Sequence, residues 1–209
     1  MGENTDTLKM EQDMPTSSID YHKALLVPSP DCPTQLLCRT QDLSALVGPW
    51  TTASLPGTKL ATVDIWTAMH NTTLSIPMNR YRFFRSDSRF ELRCQANSYF
   101  YGSLKMVWSP REYPTTWDSS GFVGVVTQFS NIPGVRAEAN GDGVALNVPY
   151  FSQYPCVDQR VNGPGSLGFI TIIVFSRLCC IDSSSSAAPV SISLLANFVD
   201  PVVDGPLAV

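Results

Sequence analysis

Histidine is nearly missing from this 209-residue chain, which has only His22 and His70. Charged side chains are also sparse, at 15%. The six cysteines stand at 32, 38, 94, 156, 179 and 180, and no two have the Cys-x-x-Cys spacing of a zinc pair. Each shortage excludes something. With one histidine in a leader and the other in an expected loop, a serine or cysteine nucleophile has no obvious base. A structural zinc site wants four closely spaced soft ligands, and no such set is offered. Cys179 and Cys180, if extended, point to opposite faces and cannot serve one site. The thiols read as small reduced hydrophobes. No catalytic residue and no cofactor is expected, and no metal ligand is assigned. No apolar run approaches the roughly 20 residues of a membrane span, and the leader has no signal-peptide core, so neither a span nor export is expected.

What charge there is lies unevenly. Up to Asp31, six acidic residues (Glu3, Asp6, Glu11, Asp13, Asp20, Asp31) face two lysines, a net of −4 that equals the net charge of the whole chain. An acidic leader does not neutralise phosphates. Residues 1–40 also carry Pro15, Pro28, Pro30 and Pro33 without a sustained hydrophobic period, and read as an extended arm that orders against a partner. The remainder is long enough to bury a core of its own, with 44% hydrophobic residues overall. A surface poor in Lys and Glu fits one covered by other chains.

The clearest pattern is strict alternation. Phe90, Leu92, Cys94 and Ala96 alternate with Arg89, Glu91, Arg93 and Gln95, giving a strand with one dry and one wet side. After the short link Asn97-Ser98, Tyr99 to Trp108 reads as a second, more apolar strand, and the two are expected to form a half-buried antiparallel element. Lys59 to Trp66 alternates imperfectly, as a strand buried on both faces or one running into a turn; Asn79 to Arg85 begins a strand or holds a short helix. Residues 111–121 read as a loop, and Phe122 to Phe129 as a short helix or strand. Val135 to Ala139 alternates again, and Asn140-Gly141-Asp142-Gly143 offers the dipeptides favoured in hairpins before the alternating Val144, Leu146 and Val148. Phe169 to Phe175 is a β-branched run, Ser183 to Ser186 a loop, and Val190 to Phe198 a last strand. Many short strands and hardly one amphipathic helix predict an all-β sandwich or barrel. The long connection from 109 to 133 fits Greek-key crossing.

The run from Arg80 to Pro110, with Gln95, Asn97, Phe100, Gly102, Leu104 and Pro110 in place, resembles the central D and E strands of picornavirus-like capsid proteins. Val148-Pro149-Tyr150 is similar to the family's G-strand ending, Gly168 to Ser176 to its H strand, and Val190 to Phe198 to its I strand. Asp200 to Pro206 is similar to the tail that follows; Arg39 to Trp50 and Gly57 to Leu60 are similar to the approach to the B strand. The resemblance implies an eight-stranded antiparallel jelly roll of two four-stranded sheets. It divides the chain into an N-terminal arm at 1–40, a jelly-roll domain at 41–199 and a C-terminal tail at 200–209. It further implies a subunit released from a polyprotein, joining related capsid proteins in a pseudo-T=3 icosahedral virion around single-stranded RNA, assembled in the host cytoplasm. The Gln95-x-Asn97 pattern favours the second major capsid protein, and the short chain an invertebrate or algal virus. Phe90, Leu92, Trp108, Leu146, Ile173 and Leu194 would fill the gap between the sheets.

Several motifs have plainer readings. Gly163 to Gly168 satisfies G-x-G-x-x-G, but a dinucleotide site needs a strand before it and a helix after it, and here a β-run follows. Ser166 is a near miss to a nucleophile elbow, without a histidine partner. Asn71-Thr72-Thr73 is a glycosylation sequon, read as unused. Phe83, Phe84, Tyr99, Phe100 and Tyr101 could form a base-stacking platform, although alternating burial explains most of them. Arg80, Arg82, Arg85, Arg89 and Arg93 crowd five basic residues into fourteen positions. They are the candidate contacts with neighbouring subunits or with packaged RNA, the alternative being a solvated face paired locally with Asp87 and Glu91. A β-sandwich binding module for carbohydrate or another ligand is the alternative function, since architecture alone does not fix it.

Overall fold

The computed structural model describes residues 33–112, 130–152, 154–159, 167–181 and 189–206. Of the expected arm only 33–40 lies within these. The expected element at 122–129 and the serine loop at 183–186 lie outside the described residues, as does most of the loop at 111–121.

Strands form where the sequence alternates, and short helices fill the gaps. Helix α1 (Pro33–Leu37) buries Leu37 completely. Strand β1 is Gln41–Asp42 and β2 is Lys59–Asp64. The chain then turns into α2 (Ile65–His70) because Asp64 caps it, its Oδ1 accepting from the backbone N–H groups of Trp66 (3.0 Å) and Thr67 (3.4 Å). Helix α3 (Ser75–Met78) follows. Then come β3 (Tyr81–Gln95), β4 (Phe100–Ser109), β5 (Gly134–Glu138), β6 (Val144–Val148), β7 (Val157–Asp158), β8 (Phe169–Cys180) and β9 (Ser191–Pro206).

Two antiparallel sheets result. The first runs β1-β9-β3-β6, with β7 pairing the start of β3; the second runs β2-β8-β4-β5. This is the expected all-β sandwich with two layers of four strands, to which β7 adds a short fifth strand.

The expected pairing of the two strands around Asn97-Ser98 does not occur. Strand β3 lies in the first sheet and β4 in the second. The same holds at Asn140 to Gly143, where β5 and β6 enter opposite sheets instead of forming a hairpin. Neither Gly141 nor Gly143 adopts the positive φ that a tight hairpin turn requires. Alternation tells which side of a strand is dry, but two dry sides can face each other across the sandwich as readily as lie side by side. The two crossing turns hold each other: the Asn140 side-chain amide donates to the carbonyls of Phe100 and Ser98. Lys59 and Leu60, read as the approach to the first strand, belong to β2 of the opposite sheet. The first strand is the two-residue β1, supplemented by a bridge between Trp50 and Val190. Strand β9 continues through Pro206, so the expected tail begins inside a strand.

The core lies between the sheets. Phe90, Leu92, Leu194 and Phe198 fill it from one side, Leu104, Met106, Ile170, Ile172 and Val174 from the other. Full burial of each such side chain contributes about 1.5–3 kcal/mol. Phe84 meets Phe198 edge-on (4.8 Å between centroids) and Trp66 of α2 (5.8 Å), which locks the helix to the sheet. Of the six expected gap fillers, Phe90, Leu92 and Leu194 are fully buried, whereas Trp108 and Leu146 are half-buried at the margin. Ile173 differs: its neighbours Ile172 and Val174 face inward, so period two turns it to the opposite face, where it is buried opposite Lys105.

Two measurements test this packing. A Cβ on Gly102 would stand 2.8 Å from the Arg177 carbonyl oxygen and 3.0 Å from the Trp50 ring. Gly102→Ala is therefore expected to lower stability by about 2 kcal/mol or more in denaturant melts, and a loss under about 0.5 kcal/mol would contradict the packing. Burial pushes the Cys94 thiol from its ordinary 9.0 up to about 11. The fold favours the protonated thiol, so its stabilisation is intact below the unfolded value and lost as pH rises through the folded one. Wild type should lose stability relative to Cys94→Ala between about pH 9 and 11, and a constant difference across that window would refute the assignment.

Candidate interaction faces

The outward side of the first sheet is built by period two on β3. Phe84, Ser86, Ser88, Phe90 and Leu92 are buried, so Arg85, Asp87, Arg89, Glu91, Arg93 and Gln95 look away from the core. Asn147 of β6 and Asn197 of β9 flank Arg89 in register; Ala145 and Leu195 flank Glu91; Ser193 lies beside Arg93. A bulge interrupts the ladder between Arg85 and Asp87, where Ser86 faces two residues of β9, Asp200 (φ 48°) and Pro201. Buried Ser86 Oγ reaches the carbonyls of Val199 (2.8 Å) and Asp87 (2.6 Å), binding the bulge together.

The five candidate arginines divide. Arg85, Arg89 and Arg93 share the open face. Arg82, of opposite parity, turns to Asp158 of β7 and donates through Nε (3.1 Å) and Nη2 (3.0 Å) to one carboxylate oxygen. Arg80 precedes the strand and is exposed. Arg93 Nε pairs with Glu91 at 2.6 Å, as the alternative of local pairing has it. Asp87 accepts instead from the backbone N–H of Tyr150 (2.8 Å), whose ring lies 5.2 Å from the Arg85 guanidinium carbon. Asp158 and Tyr150 were not legible beside the arginine run, because a register set over 60 residues away decides who meets whom. An open groove of about 400 Å³, lined in part by Phe83, Arg85, Cys156 and Val202, lies at the β7 end of this face.

The second sheet treats its outward side differently. Ser103, Lys105, Val107, Ser109, Thr171 and Ile173 are all buried there. Lys105 Nζ donates to the carbonyls of Ile132 (2.8 Å) and Ser130 (3.2 Å), and desolvation lowers its pKa. Toward the β3–β4 turn the side opens: Tyr99, Tyr101 and Ile181 are exposed. Of the five aromatics weighed as a stacking platform, Phe84 and Phe100 are buried and Phe83 half-buried, so no continuous platform forms.

The remaining motifs lie only partly within the described residues. His70 stacks on Trp66 at 5.8 Å, and His22 lies outside the described residues. Only Leu167 and Gly168 of the glycine-rich motif are described, and β8 follows them directly, so no helix N-terminus stands there; Ser166 lies outside the described residues. Among the described residues no three His, Cys, Asp or Glu side chains gather as metal ligands. What these faces offer is ion pairing, hydrogen bonding and apolar contact.

Two contributions to the first sheet should separate by mutation. Asp158→Asn removes an exposed ion pair and should cost under about 1 kcal/mol, less at high salt. Ser86→Ala takes a buried hydroxyl away from the carbonyls of Val199 and Asp87 and should cost about 1–3 kcal/mol. Denaturant melts that reversed this order would contradict the reading of the bulge.

No family model and no curated protein sequence matches the chain. Solved structures do. A chain of the Triatoma virus empty capsid aligns with 84% of this chain and 96% of its own length, at TM-score 0.68 and 17% identity. A chain of black queen cell virus aligns over 99% of this chain and 86% of its own, at 0.69 and 16%. A chain of a marine algae virus of the order Picornavirales aligns over 100% and 82%, at 0.68 and 20%. The two-sheet sandwich built above matches, over nearly its whole length, the jelly-roll fold of picornavirus-like capsid proteins.

Proposed function

We propose that this chain is a structural subunit of a non-enveloped icosahedral virus shell, assembling with related jelly-roll proteins around a single-stranded RNA genome. The observation that carries the reading is the near end-to-end match to chains of insect and algal viruses, in which one sandwich accounts for most of each matched chain. A shell subunit must present several surfaces to neighbours from a body that does not bend. The first sheet supplies such a surface, with an open charged side backed by a fully packed core. Within the shell the chain takes the second of the three major positions, a reading supported by the Gln95-x-Asn97 pattern. Residues 1–40 serve as the arm, 41–199 as the wall and 200–209 as the tail, whose first part is carried by β9.

The arginines favour protein contact over RNA. Arg82 and Arg93 already hold carboxylates; Asp87 stands between Arg85 and Arg89, and Glu91 between Arg89 and Arg93. Phosphate binding wants uninterrupted positive charge. Fractionation of the native source on a sucrose gradient tests the function. The chain is expected in megadalton particles with two related jelly-roll chains and nuclease-protected RNA. Recovery only as a monomer or small oligomer that retains a carbohydrate ligand would overturn the proposal.

A further inference from the structure

Down the open side of β3 the charges alternate without exception: Arg85, Asp87, Arg89, Glu91, Arg93. Successive rungs are about 6.8 Å apart, and the extra residue of the bulge opposite Ser86 lies on β9. The arginines and Asp87 are exposed and Glu91 is half-buried. Beside the central rungs stand the short side chains of Ala145, Asn147, Ser193 and Asn197, and half-buried Leu195 next to Glu91 adds an apolar side chain to the face. An alternating ladder has a particular property: reversed about its inward-facing Phe90, it becomes its own complement.

We infer that this face is an isologous docking surface for a second copy of the same chain, the two β3 strands antiparallel across a twofold axis at Phe90. In that arrangement Arg89 meets Glu91 of the second copy and Arg93 meets Asp87 of the second copy. The twofold repeats both pairs. Arg85 meets the amide of Gln95 of the second copy. The acceptors have capacity to spare. Glu91 gives only Oε1 to its own Arg93, and Asp87 only Oδ1 to Tyr150, so each keeps an oxygen for the newcomer. A single-stranded RNA would set phosphates against Asp87 and Glu91, and an acidic polypeptide would leave both carboxylates unmatched. Only a surface of alternating sign satisfies every rung, and this chain carries one. The inference does not rest on the shell reading, since two copies can pair whether or not a shell forms.

Three strands across and eight residues along, the contact is on the order of 400 Å² per copy. That is half of the roughly 800 Å² usual for a stable pair, so the isolated dimer is weak, with a dissociation constant on the order of 0.1–1 mM. Sedimentation equilibrium of the full chain, from about 10 μM to 1 mM at about 20 mM and 500 mM salt, tests this. Dimers are expected at low salt, with association at least about tenfold weaker at high salt. Arg89→Glu and Glu91→Arg should each abolish association, and the double variant R89E/E91R should restore it, because the twofold makes the two positions reciprocal. Should a reversal fail to fold by thermal melting, Arg89→Gln serves, with an expected loss of about tenfold. A chain monomeric throughout, a double variant no better than the singles, or an Arg89→Gln variant that associates like wild type would overturn the inference. So would salt-sensitive binding of a 20-nucleotide oligouridylate that Arg89→Gln removes while no dimer forms.

Discussion

The pairing of β3 with β9 is the constraint on which the rest depends. It joins Tyr81–Gln95 to Ser191–Pro206, segments separated by most of the sandwich's sequence, in one long antiparallel ladder. Its inward side carries Phe90, Leu92, Leu194 and Phe198 into the core; its outward side carries the charges. Because the side-chain period is two, a slip of one residue would bury the arginines and expose the phenylalanines. The bulge at Ser86 is the one place where the register shifts, and there a serine inside the sheet binds both strands while Asp200 takes a left-handed conformation. Beyond it Phe84 still faces inward to meet Phe198 and Trp66. The extra residue thus corrects the ladder without exchanging its faces.

The two sheets meet their surroundings in opposite ways. The second closes its outward side over Val107, Thr171 and Ile173, and uses a lysine to hold the carbonyls of Ser130 and Ile132. The first leaves its outward side to charge and small polar groups. A wall closed on one side by its own chain and open on the other is suited to meeting neighbours from a fixed direction. The crossing turns contribute stiffness, since Asn140 ties the β5–β6 connection to the β3–β4 connection at one end of the sandwich.

What was legible in the sequence was the local part. Alternation around Phe90 and Leu92 marks which side chains are dry, and the structure buries them. Turn chemistry located the breaks between strands, yet Asn140 to Gly143 did not reveal that the chain changes sheets there. A link of that length satisfies either route, and the choice rests on contacts with β3 and β4 far away in sequence. The side that Ile173 takes is not legible, because its run is apolar on both faces and hydrophobicity carries no phase. The arginine cluster was visible as composition. Its division into paired and open members was not, because Arg82 finds Asp158 through the short strand β7, a two-residue element with no pattern to detect.

A shell subunit is defined by its place in the native assembly. Electron cryo-microscopy of particles from the native source is the deciding measurement. The expected map shows this chain as an eight-stranded sandwich set among other polypeptides in an icosahedral shell, with the open side of β3 against a neighbour. Density that placed the chain outside any shell, or left every one of its faces in solvent, would contradict it.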